Sequence, residues 1–575
     1  GYPQDHLPSD AQNNRGRNTY FFLPLLLGLV GLFFQFSSSK RQWWVVFILF
    51  LFTGLALKVY LNERPFEPRE RDYALVGSFF TFAIWIGMGV YALYSLLEEK
   101  MSFKGMAPAV VSLCLITVPA RMLAENWDDH DRSGRYTARA LAKSYLDSVS
   151  KDNGAMIFSI GDNDTFGMWY MQEVEHYRTD VRVINTSLLG TDWYIDQMKR
   201  KAYTSDPIPS QLVHSQYAYG VRDAIYFDKK TDDTWPIKSL IEWIGREDPK
   251  TKKLLDRNGA PDLTYSTYPT NKVRIPVNKE NVLKSGIVKP EDADKIVDYI
   301  DIKLPSVGMG KNRLLMLDIL ANNDWKRPIY FTGGSYSDDE YIWMRDYLQL
   351  DGMAYKLVPI KTPIDKDNPY DMGRIDADLM YNIVKSWDWG NMDDPNIYHD
   401  PETRRNSIVF RGNLARLTET LLAEDKIDKA KDIIDIATTR IPVGHLGYYF
   451  TLEPFISGYY AVKEPEKARK LFLQVAKKYQ EKVEYYLTFS QINFIRLSDE
   501  IAYDLRRYQA LLIPIMQDDS FYKEQSAIYH GYIRSLKRLG ESYGFATDEE
   551  EAPEPPEEET PQASTSPSDT ATQAK

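Results

Sequence analysis

Asn126-Trp127-Asp128-Asp129-His130-Asp131-Arg132-Ser133-Gly134-Arg135-Tyr136 packs three acids, a histidine and two arginines into eleven residues. Asp128, Asp129, His130 and Arg132 in this run could bind a sugar, a lipid phosphate or a metal. The same charges also suit a connector whose acids offset the N-terminal dipole of the helix that follows. A second group, Asp162-Asn163-Asp164, could hold a divalent cation against a diphosphate through hard oxygen ligands. Its Asp-x-Asp spacing recurs at Asp129/Asp131, Asp292/Asp294, Asp365/Asp367 and Asp376/Asp378. Only its place after a strand therefore sets Asp162 and Asp164 apart. In Pro68-Arg69-Glu70-Arg71-Asp72-Tyr73, Arg69 and Arg71 could contact a lipid diphosphate, or the alternating charges could form an interfacial collar. Asp192 and Trp193 complete the substrate candidates. Trp193 and Trp169 could stack on a sugar ring, although a large aromatic near a helix more often belongs to a core.

The elements that must position these residues are legible in outline. Arg132 to Ser150 carries helical spacing through Tyr136, Ala140, Tyr145 and Val149, and Asp152-Asn153-Gly154 breaks it. A β-like run, Ala155 to Ile160, leads through the loop Gly161 to Phe166 into a helical stretch, Met168 to Tyr177, and a second β run, Val181 to Thr186. This βαβ unit implies a parallel strand pair, and Asp162 and Asp164 then lie at the carboxyl end of a strand, where α/β folds place ligands. A further strand, Pro328 to Thr332, precedes Gly333-Gly334 and an expected helix from Asp338 to Leu348. Residues 124–390 thus read as a soluble α/β domain with a long irregular insertion around 205–305. From Ser407 onward the pattern becomes helical hairpins, with Ala430 and Ala468 in similar local sequences at a spacing near the tetratricopeptide period. Residues 391–546 read as a tetratricopeptide-like domain.

Ahead of all this lie four apolar runs: Thr19 to Phe36, Trp43 to Leu57 with Val59 to Leu61 trailing, Tyr73 to Leu97, and Met106 to Leu123. Each approaches the roughly 20 residues that cross a bilayer. Lys58 lies near an end and can snorkel, and Tyr20, Trp43, Trp44 and Tyr73 sit where aromatic belts form. The fold class is therefore membrane α-helical, with four transmembrane helices at 19–123 after a polar segment at 1–18, followed by the α/β and hairpin regions. Because the first 18 residues are polar and unpatterned behind Gly1, the chain reads as a piece of something longer.

The net charge of -11 is concentrated in a Pro/Glu/Ser/Thr tail, where nine acids between Asp548 and Asp569 face only Lys575. That composition cannot bury enough surface to order itself, so 547–575 reads as a disordered acidic tail. The near-neutral remainder offers no case for a nucleic-acid partner. Cys114, the single cysteine, falls in the fourth span, which excludes an internal disulfide and cysteine-ligated metal. No His-Glu-x-x-His or Gly-x-Ser-x-Gly occurs, and Gly308-Met309-Gly310-Lys311-Asn312 lacks the leading glycine and Ser/Thr of a phosphate loop. With an even number of spans, six cations flank the side of the termini and four the other, which leans toward a cytoplasmic soluble part.

Three long runs carry a resemblance: PRERDYALVGSFFTFAIWIGMGVYAL from Pro68, NWDDHDRSGRYTARALAKSYLDS from Asn126, and GDNDTFGMWYMQEVEHYRTDVRVINTSLLGTDWYIDQM from Gly161. They resemble the bacterial domain-of-unknown-function 2723 (DUF2723) membrane family, which is similar to protein O-mannosyl-transferases and glycosyltransferase family 117. The resemblance implies a type C glycosyltransferase in the bacterial inner membrane that uses a polyprenyl-phosphate sugar donor and has a periplasmic soluble region. It implies an orientation opposite to the charge count, and we expect the family's. In that family the catalytic acid lies in a loop upstream of the matching segment, so no catalytic residue carries over. What this chain would supply is the acceptor-protein side. A second reading is a membrane-anchored scaffold that binds envelope or secreted proteins through its helical hairpins without chemistry. A transporter fits less well, because the spans lack inward ionisable groups away from their ends.

Overall fold

The computed structural model describes residues 2–62, 71–100, 105–253, 265–334, 337–364 and 371–544. Arg69, Asp365, Asp367 and the acidic tail lie outside the described residues. Among those described, four helices, Tyr20–Ser38, Lys40–Leu61, Asp72–Lys100 and Met106–His130, are long and apolar enough to cross a membrane. The first and third meet through glycines: a Cβ on Gly31 would overlap the Trp85 carbonyl oxygen, and one on Gly89 would overlap that of Leu27. Small residues of this kind let helix backbones approach where no hydrophobic effect drives association. Trp85 is buried at this crossing and donates its indole N–H to Gln35 Oε1 at 2.8 Å. The second helix buries none of its apolar window and shows Trp44, Ile48, Phe52 and Leu55 outward, as a lipid-facing helix does.

The fourth helix runs on to His130, beyond the expected end at Leu123. Asp128, Asp129 and His130 therefore stand on the last turn of a spanning helix rather than on a connector. The chain leaves it at Asp131, whose carboxylate accepts the Ser133 N–H at 2.8 Å, and Gly134 follows with φ 74°. At the same end, Tyr20 donates to Asn126 Oδ1 at 2.7 Å and Asn18 Nδ2 to the Glu125 carbonyl at 3.1 Å. The start of the first span and the end of the fourth thus share one side, as an even number of crossings requires.

Contacts divide the chain into two compact units, Asp10–Val475 and a second made of Gly1–Ser9 with Ala476–Lys575. In the larger unit, helix α1 (Thr137–Asp147) precedes strand β1 (Met156–Ser159), helix α2 (Asp162–Glu173), β2 (Arg182–Asn185), β3 (Ile329–Phe331), β4 (Leu348–Asp351) and β5 (Ala354–Leu357). The sheet order is β4-β5-β3-β1-β2. Strands β2, β1 and β3 are parallel, in the register Met156 with Arg182 and with Ile329, and β5 and β4 continue antiparallel. The βαβ pair expected from the alternation is present. All four residues of β1 and of β2 are buried, as parallel strands covered on both faces must be.

Two expectations fail. The described residues of the insertion around 205–305 form strands: Ala224–Phe227 and Tyr265–Tyr268 pair in parallel, and Lys272–Pro276 pairs with Tyr299–Lys303 antiparallel. Its Ile225, Ile241, Val273 and Ile300 join the core beneath the main sheet. Lys272–Pro276 and Tyr299–Lys303 do alternate apolar and polar residues, but each is five residues long and pairs with a segment more than twenty residues away. The helix expected from Asp338 to Leu348 is instead two 3-10 turns, Asp338–Tyr341 and Arg345–Tyr347. Ile342 and Trp343, with φ 53° and 56°, break the spiral between them, while Tyr341 and Ile342 are driven fully into the core.

Beyond the sheet, helices Pro401–Ala423, Ile427–Arg440 and Glu453–Ala461 follow one another, burying Leu414, Ile433, Ile434 and Phe455. In the smaller unit, Val483, Tyr486, Phe489, Ile501 and Leu536 form a core between helices. The N-terminal residues belong to that unit, with Tyr485 donating to the Pro3 carbonyl at 3.1 Å and Lys478 to Ser9 Oγ at 2.8 Å.

Candidate functional site

The carboxyl ends of β1, β2 and β3 are closed by polar residues: Ser159, Asn185 with Thr186, and Thr332. The chain passes from β1 to β2 on one side and later returns to place β3 on the other. In doubly wound sheets such a reversal opens a crevice at the strand ends, where ligands bind. Gly161 makes the turn out of β1, with φ 79° and ψ -172°, a region essentially restricted to glycine. Helix α2 can then begin at Asp162, six residues earlier than the apolar spacing predicts, with Asp162 and Asp164 in a first turn that favours acids.

The two aspartates part company there. Asp162 is exposed, whereas Asp164 turns inward and accepts the Thr332 hydroxyl at 2.8 Å. Burial raises the Asp164 carboxyl to about 6 against the bond from Thr332. Thr332 Oγ1 in turn accepts the Ile160 N–H at 3.3 Å, so the carboxylate ties the end of β1 to the end of β3. On the other flank Asn185 Nδ2 donates to Thr165 Oγ1 at 2.9 Å, which also shares a hydrogen bond with Ser159 Oγ at 2.6 Å. Asp164 and Asp162 thus do not face a common point, and among the described residues no group of three or more His, Cys, Asp or Glu is placed to hold a metal. The cation expected at Asp-x-Asp is not supported by this arrangement.

A cleft of about 470 Å³ opens near the same edge, lined by Gly308, Asn312, Arg313, Asp338, Asp339 and Trp343 among others. Helix α3 (Asp192–Met198) lies along β2, and helix α4 (Lys311–Asn323) carries Asn312, which donates to the Thr186 carbonyl just past β2 at 3.1 Å. The buried Arg313 guanidinium holds Asp339 at 3.0 Å and Glu340 at 2.6 Å. Burial also raises the Asp338 carboxyl. The glycines before Lys311 serve the backbone: a Cβ on Gly308 would lie 2.6 Å from the Ile225 carbonyl of the neighbouring strand. The amide, guanidinium and carboxyl groups of this cleft, among them Asp338, can orient a hydroxyl-bearing ligand, while Asp164 lies behind it at the strand ends.

The remaining candidates fall in other places. Asp128 faces Arg15 at 3.9 Å, Asp129 meets His130 Nδ1 at 2.9 Å, and Arg132 is exposed in the turn after the fourth span. Arg71 is exposed before the third span, its carbonyl accepting the Ala74 N–H at 3.0 Å. Asp192 opens α3 and accepts the backbone N–H of Trp193 at 2.8 Å and of Tyr219 at 3.0 Å. Trp193 lines a second cleft with Trp169. The candidates therefore form three groups: a charged turn at the membrane end, the sheet edge with Asp162 and Asp164, and the rim carrying Asp192 and Trp193. Sequence reading missed Ser159, Asn185, Thr332 and Arg313. The one signal for the first three was a polar residue ending an apolar strand.

Residues 138–379, from α1 through the insertion to the helix after β5, match the family model described as TMEM260-associated domain 2. No curated protein and no solved structure matches the chain.

Proposed function

We propose that the chain is the acceptor-side part of a membrane glycosyltransferase of the DUF2723, glycosyltransferase family 117 type, with the catalytic carboxylate supplied upstream of it. The donor is a polyprenyl-phosphate sugar, the acceptor a protein, and the soluble region faces the periplasm of a bacterial inner membrane. The single observation that carries this reading is the polar carboxyl edge of the sheet, where burial raises the Asp164 carboxyl to about 6. That edge belongs to the same compact unit as four helices fit to span a bilayer. A hydroxyl of the acceptor chain is what such an edge would orient. In this reading the helices at 401–461 form tetratricopeptide-like hairpins that widen the acceptor surface, and Arg71 on the lipid side supports the donor phosphate. The match to a domain associated with TMEM260 supports treating 138–379 as one recurring functional module.

The test is transfer of radiolabelled mannose from polyprenyl-phosphate mannose to envelope proteins. Membranes holding this chain alone are compared with membranes holding a version extended upstream. We expect label only with the extended version, and Asp164→Asn in that version should raise KM for acceptor at least about threefold. Label in neither membrane would remove the transferase and leave the membrane-anchored scaffold.

A further inference from the structure

On the far side of β2, away from the sheet's switch point, α2 and α3 flank a cleft of about 360 Å³, within the size range of small-ligand sites. Trp169 from α2 and Trp193 from α3 stand on its walls, and Trp193 is 55 % exposed. Tyr203 lies at the rim, 51 % exposed, its hydroxyl held by the Glu173 carboxylate. Exposed rings on separate elements around a concavity are costly to leave in water unless something covers them.

The floor has the opposite character. Arg182, on the outermost strand, is 3 % exposed and Ser205 2 % exposed, and both line the cleft. Arg182 Nη2 donates to the Met198 carbonyl at 2.8 Å and to that of Arg200. Its Nε has no hydrogen-bond partner, and neither has Ser205 Oγ. Both atoms belong to residues that line the cleft, where the oxygens of a ligand can complete their hydrogen bonds.

We infer that this cleft binds a hexopyranose, with the Trp193 and Trp169 rings against its apolar C–H faces and Arg182 Nε and Ser205 Oγ bonded to its oxygens. A pyranose ring is the ligand class that is apolar on its faces and ringed by acceptors at its edge, which is what indole walls and a donor floor select. The inference deepens the glycosyltransferase reading and rests on it for the origin of the sugar, which is the donor headgroup or a glycan already on the acceptor.

The test is saturation-transfer NMR on the full chain in lipid nanodiscs, free of glycosidic detergent, titrated with methyl α-D-mannopyranoside and methyl β-D-glucopyranoside. Binding of either is expected. Trp193→Ala, at a position 55 % exposed, should weaken it about tenfold, Ser205→Ala several-fold, and the exposed control Val307→Ala not at all. Absence of binding, or a Trp193→Ala variant that binds like the parent, would overturn the inference. Displacement of the glycoside by a short-chain polyprenyl-phosphate mannose assigns the donor headgroup, and displacement by a mannosylated peptide assigns a glycan. Displacement only by an unglycosylated extended peptide would overturn the sugar in favour of strand addition along β2. Sugar binding by a chain whose extended version transfers no mannose keeps the cleft and removes the transferase. Transfer without sugar binding removes the cleft alone.

Discussion

Asp164 shows how much of a residue's chemistry comes from its neighbours. In an unfolded chain an aspartate titrates near ~4, whereas burial holds the folded carboxyl at about 6. Between those values the native state keeps a proton that the unfolded chain releases, so stability falls as pH rises from about 4 to about 6 and stays lower above it. Asp164→Asn keeps an acceptor for Thr332 and removes the charge. It should therefore stabilise the protein by roughly 2 kcal/mol at pH 8 and by little at pH 4.5. Thermal unfolding at the two pH values checks this, and an equal gain at both would show that the carboxyl is not raised. Thr332→Val removes a bond to the ionised form, so it should raise the midpoint further, measurable by carbon NMR of labelled aspartate.

Among the elements, the first and third spans give the sharpest test of why glycine stands where it does. Gly89→Ala places a methyl group against the Leu27 backbone, which cannot yield as a side chain would. We expect a loss of about 1–3 kcal/mol, typical of overpacking. Gly87→Ala, two residues away with nothing near its Cβ, should cost nothing. Equal melting temperatures for the two variants in nanodiscs would mean that the helices do not cross at these glycines. Helix α2 teaches the same lesson in the soluble region. Its start is set by a backbone turn at Gly161 and by two acids in its first turn, while its apolar spacing becomes visible only at Met168.

For the whole molecule, the joining of Asn18 and Tyr20 to Glu125 and Asn126 puts residues 10–18 and the residues that follow His130 in the same unit at one end of the four-helix group. With Cys114 replaced, single cysteines at Asn13 and Lys303 should react with an impermeant maleimide from one side, and one at Glu99 from the other. In spheroplasts the proposed orientation requires Asn13→Cys and Lys303→Cys to label and Glu99→Cys to stay silent until lysis. The reverse pattern would return the soluble region to the cytoplasm, as the flanking cations suggest.

Local composition and period alone determined the four apolar helices, the parallel β1–β2 pair with its connecting helix, and the helical character after residue 400, because each rests on interactions within about thirty neighbouring residues. Tertiary structure decided the rest. The strands at 224–227, 265–268, 272–276 and 299–303 depend on pairings between distant short segments, and the turns at 338–347 depend on burying Tyr341 and Ile342. The separation of Asp162 from Asp164 depends on where Thr332 arrives, some 170 residues later in the chain. The pairing of Trp169 and Trp193 around Arg182 and Ser205 likewise needs three elements brought together. A chemical site is a long-range coincidence, and spacing along the chain carries no record of which distant residue completes it.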